Sequence, residues 1–283
     1  MQINQGLTKC LVLFVAPLAG LSVSTSASLA ATLASSEARV TIDNFSHNPS
    51  SIATLTDAKT VAISTNGQVN ADANSSANFI ADTFFPLTQA NNSSLSKTNG
   101  QGREYFGLAQ SFAQVIGYDF VVPGGTFSLD FESFLDLNTS IDFPQFESAN
   151  AAGMISFLLF DSQTESLLDF FTLSANLETP GQSDFLYYDN SSHISFKQET
   201  SFSESFGGKK ESATASVKGQ YSRNFDSLTY LTLVEIKTNQ ANVKATPESS
   251  SIVALLFFCL IGVGYGIRSQ ASGSKSIQAD GNL

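Results

Sequence analysis

"TFSLDFESFLDLN", Thr126 to Asn138, decides the fold. Along an extended chain Phe127, Leu129, Phe131, Leu135 and Leu137 point one way, and Ser128, Asp130, Glu132 and Asp136 the other. That period of two is the mark of a strand with one face on a core. Phe134 breaks the alternation and reads as a bulge. The same period runs through "ATASVKGQYSRNF", where Ala213, Ala215, Val217, Tyr221 and Phe225 share a face. In "YLTLVEI", Tyr230, Thr232, Val234 and Ile236 lie on one face and Leu231 and Leu233 on the other, as in a strand covered on both sides.

Further strands are expected at 37–43, 59–64, 78–85, 104–122, 152–160, 167–174, 185–188 and 193–206. Pro123-Gly124-Gly125, Thr179-Pro180-Gly181 and Phe206-Gly207-Gly208-Lys209 punctuate them as turns. Short helices are expected over 145–152 and 89–97. About ten strands at short spacing predict an all-β fold, an antiparallel β-sandwich of jelly-roll-like form. No internal repeat is evident. The body is expected over residues 31–237. Its flanks, 31–36 and 238–251, are polar or small and read as linkers.

Composition narrows the function classes. The chain has 283 residues and a formal net charge of −11. Its longest basic run is Lys209-Lys210, so nucleic acid is excluded as a partner: neutralising phosphates takes clustered Lys and Arg. Phe is abundant at 24 residues, which favours a packed body over a disordered one. The two cysteines, Cys10 and Cys259, both lie in apolar terminal segments. The body therefore has neither a disulfide nor a thiolate site, and must rest on its core.

The two ends read as addresses. Lys9, an apolar run from Cys10 to Leu21 and small residues up to Ala30 form a signal peptide over residues 1–30, a substrate for signal peptidase. Near the other end, Ile252 to Ile267 is a continuous apolar run followed at once by Arg268. At about 1.5 Å per residue it extends roughly 24 Å, close to a bilayer core. A spanning segment over 252–268 in the inner membrane would leave 269–283 as a cytoplasmic tail, with the positive charge inside. Pro247-Glu248-Ser249, the apolar run and Arg268 together resemble the PEP-CTERM sorting signal of bacteria. Ser249 stands where that signal has a second Pro, and Arg268 is a single charge where it has a cluster. The resemblance implies processing by an exosortase-like enzyme near Pro247, Glu248 and Ser249, and delivery to the cell surface or exopolysaccharide. The stretch from Asp130 to Thr164 also resembles bodies of cyanobacterial proteins bearing this signal. It implies a source and no activity.

Chemistry-bearing residues are sparse. From Glu104 to Asp189 the chain carries many carboxylates and neither Lys nor Arg. Within that stretch Asp136, Asn138, Ser140, Asp142 and Glu147 place oxygen ligands at alternating positions with a late Glu, as Ca²⁺ loops do. Ile141 sits where such a loop needs Gly. A solvated strand face is the plainer reading, and no cofactor is otherwise expected. Tyr187, Tyr188, Asp189 and Asn190 read as a loop in which aromatic rings stack on a sugar and polar groups bond its hydroxyls. Asp130 and Glu132 share a strand face at a glycosidase-like spacing, which any polar strand face also gives. His47 and His193 lie in polar turns, with no second histidine near for zinc. The expected function is therefore not enzymatic. The chain reads as an exported surface or exopolysaccharide-associated structural protein. A carbohydrate- or calcium-binding matrix module is the alternative, with extracellular polysaccharide as partner, and a secreted hydrolase the second alternative.

Overall fold

The computed structural model describes residues 31–81 and 88–246. The signal peptide, Pro247, Glu248, Ser249, the apolar run, Arg268 and the tail lie outside the described residues. Within them the protein is all-β and antiparallel, with no helix. The strands are β1 (Ala31–Asp43), β2 (Ser51–Ala81), β3 (Thr88–Val122), β4 (Gly125–Ser140), β5 (Glu147–Asp161), β6 (Leu167–Thr179), β7 (Phe185–Asn190), β8 (Ile194–Phe196), β9 (Ser201–Ser205), β10 (Lys210–Phe225) and β11 (Thr229–Ala245).

They form one sheet in the order β7-β6-β5-β11-β3-β1-β4-β10-β8, with β2 beside β3 and β9 beside β10. The sheet is nearly closed, like a barrel, because the long β2–β3 hairpin folds back on itself. Residues 90–101 of β3 pair with β1, whereas residues 105–122 pair with β11. Between them the two halves of β3 turn to face each other: Ser96 Oγ lies 3.0 Å from Ser111 Oγ. The fold-back falls at Asn66-Gly67 and Gln101-Gly102, where the β2–β3 register slips. Gly102 has φ +109°, and a Cβ there would come within 2.6 Å of the Gly67 Cα. Glycine lets the two backbones touch.

A first layer (β1, β4, β10, β8 and β9) thus faces a second (β11, β5, β6 and β7), each extended by half of the hairpin. Their inner faces make the core. Phe131 from β4 meets Phe157 of β5 and Phe171 of β6, with ring centroids 5.2 Å apart in each pair, and Phe127 meets Phe120 of β3 at 5.2 Å. At the far seam Tyr188 stacks on Phe202 at 5.2 Å and meets Phe196 at 5.4 Å, edge to face.

Several expectations change. Residues 147–152 and 89–97 are strand, not helix, because their buried positions alternate with period two, and 145–146 end the turn before β5. Residues 31–36 and 238–245 are strand, not linker: Ala34, Ser36, Asn239, Ala241 and Val243 are buried between the layers. Small and polar side chains fit there because the layers approach closely. Phe134 is no bulge; it lies in register opposite Arg39 and Ser216, its ring under the Arg39 guanidinium at 5.5 Å.

The ends of the described body meet. The Ala31 N–H donates to Asp142 Oδ2 at 2.9 Å, and the Thr246 N–H to the Phe146 carbonyl at 2.9 Å. Both ends are tied to the β4–β5 connection, at one end of the molecule.

Candidate functional site

The two outer faces differ in chemistry. On the first layer β4 presents Asp130, Glu132 and Asp136, flanked by Glu37 and Arg39 of β1 and by Lys218 of β10. Cations answer these carboxylates singly: Lys197 Nζ to Asp130 at 3.1 Å, Lys218 Nζ to Glu132 at 3.4 Å. Asp43 joins the group. Burial, then the charges of Asp130 and Glu132, push its carboxyl above the usual range.

The second layer carries apolar side chains outside as well as inside. Phe106, Leu108, Phe112 and Ile116 of β3, Val234 and Ile236 of β11, and Leu158 and Phe160 of β5 are half-buried on its outer side. Across the middle of this face run two adjacent rows. Register puts Asp57, Phe112, Thr238, Met154, Ser174 and Tyr187 in one, and Lys59, Gln110, Gln240, Ala152, Asn176 and Phe185 in the next. All of them except Tyr187 line a groove of about 510 Å³. Gln110 Nε2 donates to Gln240 Oε1 at 3.0 Å on its floor, and Phe185, 45% exposed, stands at its β7 end. A groove with an aromatic wall and an amide floor can hold an extended polar chain or an apolar segment.

The expected sugar residues are split by this geometry. Tyr187, Tyr188, Asp189 and Asn190 belong to strand β7, not to a loop. Alternation sends Tyr187 and Asp189 to the outer face and Tyr188 inward to the seam.

The five oxygen ligands do not encircle a point. Asp136, Asn138 and Ser140 are spread along β4, where Asp136 accepts from Thr214 Oγ1 at 2.6 Å and from Asn138 Nδ2 at 2.9 Å. Asp142 holds the start of β1. Glu147 is buried, and its Oε2 accepts from the Asp142 and Phe143 N–H groups at 2.8 and 2.9 Å. Its role is to cap the turn that Ile141, buried in the second core cluster, leads into. Among the described residues no three His, Cys, Asp or Glu side chains converge on a metal position.

Two buried polar clusters escaped the sequence. Asp169 of β6 accepts from Arg223 and Tyr221 at 2.8 Å each, and bonds His193 Nδ1 at 2.8 Å. Burial pushes its carboxyl up, but the bonds from Arg223, His193, Ser191 and Tyr221 outweigh it and hold the carboxyl below the usual range. Burial and the facing carboxylate push Tyr221 upward. The cluster ties β6 to β10 and to the connection before β8. On β11, Lys237 Nζ donates to Glu235 Oε1 at 2.6 Å, with both side chains fully buried. Burial drives both toward neutrality, Glu235 upward and Lys237 down to about 8. Asn92 bonds the other Glu235 oxygen, and Asn239 continues the network to Ser36 and Ser94. His47 bonds Ser46 and leans on Phe127, away from these groups.

No protein-family model, curated protein or solved structure matches the chain.

Proposed function

We propose that this chain is an exported cell-surface or exopolysaccharide-associated structural protein that works by binding. Its folded-over sheet is a β-sandwich of jelly-roll-like form, delivered through a PEP-CTERM-like signal at Pro247, Glu248, Ser249 and Arg268. The signal peptide and the spanning segment act as addresses for signal peptidase and an exosortase-like enzyme. The observation that carries the binding reading is the groove on the outer face of the second layer, with Phe106 and Leu108 on one side of it and Ile116, Val234, Leu158 and Phe160 on the other. Apolar side chains flanking a polar groove mark an interaction site. The placing of Ala31 and Thr246 at one end supports the address reading: the described body presents both of its ends at the β4–β5 connection.

The test is retention in the isolated surface-matrix fraction. Phe112→Ser, Met154→Ser and Tyr187→Ser together are expected to lower retention severalfold while the far-ultraviolet strand signal is kept. Unchanged retention would sink the binding face. A glycan-binding reading is favoured by the Phe185 wall and the Gln110–Gln240 floor. On a glycan array it requires signal lost with Phe185→Ala and kept with Tyr188→Ala, because Phe185 lines the groove and Tyr188 turns inward to the seam.

A further inference from the structure

The exposed edge of this sheet is treated differently at its two sides. Beyond β6 and β10 the sheet ends in short strands, β7, β8 and β9, of six, three and five residues. Short edges offer little to a foreign strand. On the other side β2 runs unbroken and in register from Ser51 to Ser64, with no Pro and no bulge. Among the described residues its only strand partner is β3, so no strand pairs with its far side; Ser75 Oγ donates to the Asp57 carbonyl at 3.3 Å. Almost every residue from Ser51 to Gln68 is exposed on both faces, yet the outer row reads Ala53, Leu55, Asp57, Lys59, Val61 and Ile63. Leu55 and Ile63 are 57% and 59% exposed. After the fold-back the same strand presents Asn70, Asp72, Asn74, Ser76 and Asn78 on its outer side, a polar row. The apolar edge is therefore local to the first half.

That half is self-complementary. We propose that two copies of this chain join edge to edge through β2, antiparallel, about a two-fold axis at Ala58. The in-register segment before the fold-back, Ser51 to Ser64, has its midpoint between Asp57 and Ala58, so this register uses nearly the whole edge. An axis normal to the sheet keeps each side chain on its own face, so odd residues meet odd residues. Asp57 then lies opposite Lys59 of the second copy, and Lys59 opposite its Asp57. Leu55 lies opposite Val61, Ala53 opposite Ile63, and Ala58 opposite Ala58. Moving the axis one residue either way sets Asp57 against Asp57 or Lys59 against Lys59, which like charges disfavour. Within one copy Lys59 Nζ already lies 2.8 Å from Asp57 Oδ2. In the pair the two intrachain contacts become a four-charge square. The apolar outer faces of both copies become one continuous surface. This inference stands on the edge strand and is independent of the sorting reading.

The test uses the full chain in mild detergent, by sedimentation analysis. A dimer is expected. Asp57→Lys or Lys59→Asp alone is expected to weaken it at least tenfold, and the two together to restore it, because Lys at 57 then faces Asp at 59. With Cys10→Ser and Cys259→Ser as background, Ala58→Cys is expected to oxidise to a disulfide-linked dimer. Opposed Cα atoms in an antiparallel pair, about 4.5–5.5 Å apart, suit a disulfide. Lys59→Cys is expected not to link, since it faces Asp57. A chain that stays monomeric at all concentrations overturns the proposal, as does a dimer indifferent to the charge swaps, or Lys59→Cys linking as fast as Ala58→Cys. A monomer whose β2 amides resist hydrogen exchange would mean that another part of the chain covers the edge, and equally overturns it.

Discussion

At the scale of single residues, Asp169 carries the clearest consequence. Its carboxyl is lower in the fold than in the unfolded chain, so it stabilises the fold most above the ordinary carboxylate range. That contribution fades as pH falls through the lowered value. Asp169→Asn is expected to cost about 2 kcal/mol at neutral pH, the worth of hydrogen bonds to a buried charge. Urea midpoints of the two proteins should differ at pH 7 and converge toward pH 2; a constant gap would mean the charge is not what matters. The sequence contains a sign of this residue. Period two puts Asp169 on the face of Phe171 and Leu173, and Glu235 and Lys237 on the face of Leu231 and Leu233. A charge on a core face needs a partner. Which partner closes the pair is set by strand order, which residue patterns do not encode. Arg223 and His193 reach Asp169 from strand β10 and from the β7–β8 connection.

At the scale of elements, the long hairpin was the least legible part. Strands such as Thr126 to Asn138 announce themselves because apolar and polar residues alternate. In "ANNSSLSKTNG" (90–100) the inward residues are Asn92, Ser94, Ser96 and Thr98, so both faces are polar and hydrophobic period is silent. These residues are buried because they bond across the layers, as Ser96 does to Ser111 and Asn239 to the Ser94 carbonyl at 3.0 Å. The same absence of contrast made residues 238–245 read as linker. The fold-back rests instead on Gly67 and Gly102. Gly102→Ala places a Cβ 2.6 Å from the Gly67 Cα at φ +109° and is expected to cost about 1–3 kcal/mol. At about 2–4 °C per kcal/mol for a domain of this size, melting should fall by several degrees. A substitution at Gly124, where a Cβ meets nothing nearer than 3.9 Å, shares the positive φ without the clash and should cost less. Equal losses would place the cost in the dihedral alone.

For the whole molecule, the body offers one charged outer face, one outer face with a groove between apolar flanks, and both ends together at the β4–β5 connection. On the reading proposed above, the ends set where a tethered body is held and the grooved face sets what it meets. The groove on that face draws on β2, β3, β11, β5, β6 and β7. Its make-up follows from strand order, which residue patterns do not encode; of the expected sugar residues only Tyr187 falls in register with one of its rows, and none lines it. The proposal that the terminal segments are addresses removed around a finished body is checked by intact-mass analysis of the protein recovered from the surface of producing cells. A chain that begins at about Ala31 and ends between Pro247 and Ser251 is expected. A recovered chain that keeps Ile252 to Leu283 and stays in the membrane fraction would overturn the proposal.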